Sequence, residues 1–592
     1  MKFLLCGINA KYIHSNPAIY SLKAYAEKYT TFQNLSIELA EYTINQELDF
    51  ILEDIYKRKP DLLGISCYIW NIHYVELLVK DIHKVLPNTK IWLGGPEVSF
   101  DGEDSLKRMP AVTGIMLGEG EKTFLEVSKC YDEGKDDLSH VTGIVYRLDN
   151  DQIIQTKVRT DLLDLTEVPF LYDDLAPFEN RIIYYETSRG CPFSCSYCLS
   201  SVDKRVRFRD VEIVKKEIQF FLDKKVAQVK LVDRTFNCKK SHCMEIWNYL
   251  LEHDNGITNF HFEISADLIS EDELNILKNM RPGLIQLEIG VQTTNPVTAK
   301  EIRRNASFEN ITKVVKKVNT FKNIHQHLDL IIGLPYEDYH SFANSFNEVY
   351  ALEPEQLQVG FLKVLKGSYM HEMANTYGII YRDRPPYEVL YTKWLSYNEV
   401  LRLKGIEEVV EVYYNSGQFK HTLQYLVAQF KTPFHMYEAL ADYYEEKDLF
   451  SMSHSRMKRY ELLLEFALKI NKKEEKLDHK VIYTSLLTYD YYLRENAKSR
   501  LSFSQDLGQY KEKIKEFYIK EDKERKYLVS YDGFTSRQLM NMTHIEILPF
   551  NVEKLCNEKI MELGQYWTLF TYKEREALNH DGIVYDITSS IQ

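Results

Sequence analysis

Two α/β units joined by a linker and followed by a mostly α-helical third are what this sequence of 592 residues predicts. Three observations carry that prediction. From residue 1 to about 135, short β-rich runs alternate with amphipathic helical stretches; the same alternation resumes at about 181 and ends near 375; from 376 onward, helical patterns rich in Leu, Tyr, Glu and Lys dominate, with few glycines. Strand and helix in alternation make a parallel sheet covered by helices. The chain is too long for one core, so several domains are expected.

Taken in order, residues 1–135 hold the strand-like runs "KFLLCGI", "LLGISCY", "KIWLGG" and "GIMLGEG", separated by helical stretches such as "PAIYSLKAYAEKY" and "IHYVELLVKDIHKVL". That rhythm predicts a doubly wound parallel domain. Residues 136–180 form a linker with a small hairpin, "VTGIVYRLDNDQIIQT", whose Asp-Asn-Asp marks the turn, and an acidic, proline-containing stretch, "DLTEVPFLYDDLAPFEN". Residues 181–375 give six strands: "IIYYETSRG", "AQVKLVDRTFN", "NFHFEISADL", "GLIQLEIGVQTT", "HQHLDLIIGLP" and "EQLQVGFLKVL". With helices between them they predict a full or partial α/β barrel, whose chemistry belongs at the carboxyl ends of the strands. Residues 376–592 carry 23 of the 42 tyrosines, and from 451 to 520 basic residues outnumber acidic ones. There, "HSRMKRYELLLEFALKINKKEEK" reads as a helix with one basic and one apolar face: a solvated face over a helical core, or a surface for looped RNA. No fixed-period repeat, low-complexity tract or RNA-binding module is legible.

Composition narrows the classes. At 44% hydrophobic and 27% charged, the chain is that of an ordinary globular protein. No apolar run reaches the roughly 18 residues of a membrane span, so no membrane association is expected. The opening "MKFLLCGINAKYIHSNPA" starts apolar but is soon broken by Gly7, Asn9, Lys11 and His14, and reads as a buried strand rather than a signal peptide. Nine scattered cysteines argue against a disulfide framework and for a reducing, cytoplasmic location. A net charge of −13 limits any contact with nucleic acid to a local basic patch.

Three of the nine cysteines, Cys191, Cys195 and Cys198, fall within "TSRGCPFSCSYCLSS" on the loop after a predicted strand. Thiolates so close suit a metal or an iron–sulfur centre. Structural zinc wants a fourth ligand, usually from a second paired motif, and the remaining cysteines form no such pair, although Cys238 and Cys243 offer one ligand. Three cysteines on a four-iron cluster leave one iron open. Gly190 lets the backbone wrap closely and Pro192 stiffens the loop.

The pattern Cys-x-x-x-Cys-aromatic-x-Cys, with Tyr197 at the aromatic position, resembles the signature of the radical S-adenosylmethionine enzymes. The resemblance extends through the middle region. "LVDRTFN" resembles the family's second-strand segment, with Asp233 among the polar groups facing the cofactor. "FEISADL" resembles the fourth-strand segment, placing Glu263 and Ser265 near the ribose or carboxylate. "LEIGVQT" resembles the fifth, with Gln292 facing the centre, and "DLIIGLP" the sixth, whose backbone, at Ile332, contacts the adenine. The resemblance implies a radical S-adenosylmethionine barrel in which a 4Fe-4S cluster on Cys191, Cys195 and Cys198 binds S-adenosylmethionine through its open iron and cleaves it to a 5′-deoxyadenosyl radical.

In the first domain, "WLGGPEVS" puts Gly94, Gly95, Pro96 and Glu97 at the end of a strand, and "LGEGEKTFLEV" puts Gly118, Glu119 and Gly120 at the end of the next. Such turns either let a ligand approach the edge of a parallel sheet or are merely tight connections. No G-x-G-x-x-G follows the first strand, which disfavours a dinucleotide. With "GISCYIWN", where Ser66 ends a strand, and "NAKYIHSNPA", these segments resemble the Rossmann-like cobalamin-binding domain that precedes the barrel in one large class of these enzymes. Asp-x-His-x-x-Gly is missing, so no histidine ligand to cobalt is expected; His14 is read as a capping or solvent-facing loop residue. The carboxy-terminal region resembles an uncharacterised family attached to such enzymes, without the β-rich appendage of the tRNA methylthiotransferases.

Together the resemblances imply a cobalamin-dependent radical S-adenosylmethionine enzyme, foremost a methyltransferase acting on an unactivated carbon. Ring formation, rearrangement or sulfur insertion with the same cofactors is the alternative, and a catalytically decayed RNA-binding or scaffold protein is the reading from another class. A reducing partner such as flavodoxin or ferredoxin is implied. The substrate, whether small metabolite, peptide or tRNA base, is not legible.

Overall fold

The structure, a computed structural model, describes residues 1–470 and 478–591. Five parallel strands begin the chain: β1 (Lys2–Asn9), β2 (Ser36–Thr43), β3 (Leu62–Ser66), β4 (Lys90–Gly94) and β5 (Gly114–Met116), in the spatial order β2-β1-β3-β4-β5. Their near-continuous apolar runs are explained by burial on both faces: Leu4, Ile65 and Leu93 pack into one core, Phe3, Leu5 and Trp92 into the other. The strand order reverses direction between β1 and β3, and a crevice at the carboxyl ends is where such sheets bind ligands.

The linker hairpin, β6 (Ile144–Arg147) and β7 (Ile153–Gln155), is not free-standing. It pairs antiparallel with β5 and extends the first sheet to seven strands. Otherwise the short strand β5 would present an open edge of unpaired backbone groups.

The second unit opens with β8 (Ile183–Tyr185), after which β9 (Ser188–Arg189) and β10 (Arg207–Phe208) form a small antiparallel ladder. Then come β11 (Gln228–Leu231), β12 (Asn259–Ile264), β13 (Ile285–Gln292), β14 (His325–Ile332) and β15 (Gln356–Phe361). Six parallel strands run β8-β11-β12-β13-β14-β15, an open, partial barrel. One correction follows for strand numbering: the segments read as fourth, fifth and sixth strands are the third, fourth and fifth of these six. Alternate side chains explain the sheet's two faces. Val229, Leu231, Phe260, Phe262, Leu287 and Leu330 are buried in the core; by the two-residue period, Lys230, His261, Glu263, Glu288 and Asp329 project to the opposite, inner face.

After a short hairpin, β16 (Ile380–Tyr381) and β17 (Val389–Tyr391), helices Tyr397–Val410, Lys420–Val427, Pro433–Glu446, Arg456–Ile470 and His479–Arg494 follow. The region's tyrosines largely serve this core. Tyr413, Tyr437, Tyr460, Tyr483 and Tyr492 are fully buried, and the hydroxyls of Tyr413 and Tyr460 reach Tyr444 and the Gln418 carbonyl, as buried tyrosines require. In the basic stretch, Lys469 pairs with Glu446 and Lys458 with Glu461; residues 471–476 of that stretch lie outside the described residues. The region closes on a feature the helical reading missed, an antiparallel sheet of β18 (His544–Phe550), β19 (Leu563–Arg575) and β20 (Gly582–Asp586). A twelve-residue connection (551–562) without a tight-turn signature hid the first pairing.

The first domain and the barrel are joined by specific contacts. Arg181 Nη1 donates to Glu41 at 2.6 Å, Lys366 Nζ to Asp101 at 2.7 Å, and the Tyr387 hydroxyl to buried Glu97 at 2.7 Å. His14, expected to cap or face solvent, instead meets the Tyr184 hydroxyl through Nδ1 at 2.6 Å.

Candidate functional site

The loop 190–206 carries the three cysteines and joins the two strands of the β9–β10 ladder, which closes its base. Gly190 has φ +97°, and a Cβ there would lie 2.8 Å from the Arg205 carbonyl oxygen, so glycine is required for the loop to close on itself. Cys191 and Cys195 are buried and Cys198 half-buried; all three are free thiols. The Ser196 N–H donates to the Ile302 carbonyl, and the Ser196 carbonyl accepts from Met370 N–H, fixing the loop against the barrel rim. The Thr235 hydroxyl lies 3.6 Å from Cys191 Sγ, and Arg304 Nη1 donates to Cys195 Sγ at 3.7 Å while Nη2 reaches the Gly290 carbonyl.

These donors fit an iron–sulfur cluster. Three unpaired thiols share one loop, with a cation beside one and a hydroxyl beside another, while among the described residues no three His, Cys, Asp or Glu side chains converge as one metal ion would need.

Against this loop lies a cavity of about 930 Å³ between the first domain and the barrel. Ser66, Gly94, Gly95, Pro96, Gly118, Glu119 and Gly120 all line it. From the barrel side come Gly190, Leu199 and Ser200, which flank the cysteines, together with Tyr184 and Arg234. Gly118 has φ +71° with nothing within 4 Å of where a Cβ would stand, so the turn presents bare backbone to open space. A large cofactor fits such a cradle, which suits cobalamin. Two arginines brace the cradle to the cysteine loop. Arg207 makes a two-pronged pair with Glu119, and Arg189 Nη2 bonds Glu121 and Glu186, each at 2.8 Å. Burial would raise Glu121, but Arg189 outweighs it and holds the carboxyl below its usual range.

Several expected site residues do other work. Glu97 does not line the cavity; its carboxylate is buried beneath Tyr387 and ties the domains together. Asp233 does not line the cavity: its carboxylate is fully buried and accepts from Thr187 N–H at 2.9 Å and from the hydroxyls of Thr187 and Ser188, each at 2.6 Å. It fastens the strand end that leads into the cysteine loop. Burial raises it to about 6 despite those three donors. Tyr197 packs against the cluster of Ile302, Leu334 and Met370. The Ser265 hydroxyl donates to Asp267 at 2.6 Å, and its backbone is bracketed by Asn237. Ile332 is buried, and its carbonyl accepts from Leu362 N–H. Gln292 sits at a bulge with φ +70°, its amide lying over Gly290.

Glu263 lies on the barrel's inner face within a row of ionisable groups that sequence reasoning passed over. Lys230 Nζ lies 3.0 Å and His261 Nε2 2.9 Å from Glu288, and His327 Nε2 lies 3.1 Å from Asp329. Burial opposes charge on Glu288, yet His261 and Lys230 bring it down to about 2. Burial raises Glu263 to about 7, the charge of Arg234 offsetting only part of that rise. The signal was present: polar residues alternate along these strands at Asn259, His261 and Glu263, at Gln286 and Glu288, and at His325, His327 and Asp329.

Comparison with known proteins matches this architecture. Residues 4–128 match the B12 binding domain, 185–349 the Radical SAM superfamily, and 375–570 a protein family of unknown function, DUF4080. The cobalamin-dependent radical SAM methyltransferase TokK of Streptomyces tokunonensis is 24% identical over 55% of this chain and 51% of its own length. An uncharacterized methyltransferase of Pyrococcus horikoshii, PH0819, is 25% identical over 48% and 63%. The anaerobic magnesium-protoporphyrin IX monomethyl ester cyclase of Rubrivivax gelatinosus is 23% identical over 51% and 56%. The chain thus spans between half and two thirds of the length of these relatives. Among solved structures, the cobalamin-dependent S-adenosylmethionine radical enzyme OxsB superposes with a TM-score of 0.56 at 15% identity, over 83% of both chains. The methyltransferase TsrM of Kitasatospora setae gives 0.53 at 14%, over 65% of this chain and 78% of its own. At these identities the structural likeness is one of fold. Three matched stretches, in the order and with the geometry described, give this chain a Radical SAM superfamily barrel with a B12-binding domain ahead of it and a DUF4080 region behind it.

Proposed function

We propose that this enzyme transfers a methyl group to an unactivated carbon of a substrate held between the interdomain cavity and the barrel interior. The observation that carries the reading is the shared wall: the glycine turns suited to a corrinoid and the residues flanking the cysteines line one cavity. When bound, the cluster with S-adenosylmethionine supplies a hydrogen-abstracting radical, and cobalamin supplies a transferable methyl group. The chain's own residues supply position. Cys191, Cys195 and Cys198 hold the cluster; Asp233, through Thr187 and Ser188, fixes the strand end from which their loop departs. Glu119 and Glu121, held by Arg207 and Arg189, set the distance between the two cofactor sites. The first domain lying over the barrel mouth limits access of water to the reacting groups. A low-potential carrier such as flavodoxin or ferredoxin is the electron donor such chemistry calls for.

The methyltransferase relatives support this reading. The cyclase relatives, at similar identity and coverage, favour a second, in which the same cofactors drive ring formation. Extracts of cells lacking the gene, incubated anaerobically with reconstituted enzyme, a reductant and methyl-labelled S-adenosylmethionine, separate the two. Label in a new product, with release of 5′-deoxyadenosine, is expected. Release of 5′-deoxyadenosine with a product that carries no label overturns methyl transfer in favour of the second reading.

A further inference from the structure

Six arginines line the interdomain cavity. Five are neutralised by carboxylates: Arg159 by Glu126, Arg189 by Glu121, Arg205 by Asp203, Arg207 by Glu119 and Arg209 by Glu217. The side chain of the sixth, Arg234, has no hydrogen bond or ion pair among the described residues and is exposed where it lines the cavity; its backbone carbonyl accepts from the Thr235 hydroxyl. It stands just beyond the carboxyl end of β11, next to Thr235, whose hydroxyl is near Cys191. Its charge reaches Tyr68 on the first domain's wall and Glu263 on the inner face of the barrel. Arg234 is therefore an uncommitted guanidinium where the cavity opens into the barrel. Glu263 beside it is half-buried, and its carboxylate has no hydrogen bond among the described residues.

We propose that Arg234 is a specificity-determining residue that receives an oxyanion of the substrate, a carboxylate or a phosphate, at this doorway. A guanidinium offers such groups two parallel N–H donors, and in a partly enclosed site that pairing discriminates strongly against a neutral group of the same shape. The inference rests on the two-cofactor reading above, since only there does the doorway lie between the reacting centres. It restricts the substrate to an anionic compound and orients it with its charged end toward β11.

The test uses full-length protein loaded with cluster and hydroxocobalamin. Phenylacetate, phenyl phosphate and neutral 2-phenylethanol serve as probes, with binding followed by ligand-observed NMR in the wild type, R234Q and R234K. The wild type is expected to bind at least one of the two oxyanions about tenfold more tightly than the alcohol, the loss of one charge-assisted pair being worth about a factor of ten. Which oxyanion is preferred tells carboxylate from phosphate. R234Q loses the preference, R234K keeps part of it, and both variants retain hydroxocobalamin and S-adenosylmethionine within about twofold. A wild type that does not prefer either oxyanion, or a preference untouched in R234Q, overturns the proposal. So does a tenfold loss of S-adenosylmethionine or hydroxocobalamin in R234Q, which assigns the guanidinium to the methionyl carboxylate or to the corrinoid phosphodiester. Failure of the wild type to take up cluster and hydroxocobalamin overturns the cofactor reading itself and is seen before any probe is added.

Discussion

At the scale of single residues, the thiols and the groups touching them decide the chemistry. Replacing Cys191, Cys195 or Cys198 individually by Ala is expected to abolish most iron retention after anaerobic reconstitution, read as iron content and visible absorbance, because three-point ligation has no reserve. Asp233 is the most informative neighbour. Its folded value, about 6, lies above its ordinary 3.8, so between those values the folded chain holds the proton that the unfolded chain has lost. Its contribution to stability is complete below about pH 4 and falls as the pH climbs to about 6. Exchange of the Thr187 amide, corrected for intrinsic rates, is therefore expected to accelerate across that window. In D233N, which has nothing to ionise, exchange is faster throughout and lacks that slope. Of these residues the cysteines were legible because their spacing is itself the chemistry. Asp233 was legible as important but not in its role: only the fold shows both its oxygens already engaged by Thr187 and Ser188.

At the scale of elements, two glycine turns make contrasting predictions. Gly190 holds a positive φ that L side chains rarely adopt, and its site is sterically closed, since a Cβ would press on the Arg205 carbonyl. G190A is expected to open the cysteine loop and lose iron nearly as fully as a cysteine variant. Gly118 also has positive φ but faces open space. G118A carries only the backbone penalty, about 1 kcal/mol, so it should fold with a nearly unchanged melting temperature. Its methyl group intrudes on the cradle, however, and hydroxocobalamin affinity measured by equilibrium dialysis should fall several-fold. Elements were legible where period and punctuation agreed, as in the six barrel strands. They were missed where connection length broke the pattern, as between β18 and β19, where an antiparallel pairing spans twelve residues without a turn signature.

At the scale of the whole molecule, the first domain is held over the barrel by a few polar contacts rather than by one continuous core. The Tyr387–Glu97 hydrogen bond is the most buried of them. Y387F leaves a buried carboxyl without its donor, at a cost of about 1–3 kcal/mol. Faster hydrogen exchange in residues 94–101 and in the β16–β17 hairpin is expected, with the helical region unchanged; an unaltered exchange pattern would show that this contact does not govern docking. Sequence alone determined the order of domains, the cysteine cluster on one loop and most of the turns that border the cavity, because each of these is written in local spacing: thiols within one loop, glycines after strands, apolar runs at a fixed period. Tertiary structure alone decided which charges meet. It drew Glu119 and Glu121 to arginines flanking the cysteine loop, took Glu97 and Asp233 out of the cavity and into structural bonds, and left Arg234 without a partner. Such pairings join residues some 45 to 290 positions apart, and no local pattern encodes them, because a polar contact depends on where the fold brings two side chains and not on the sequence around either.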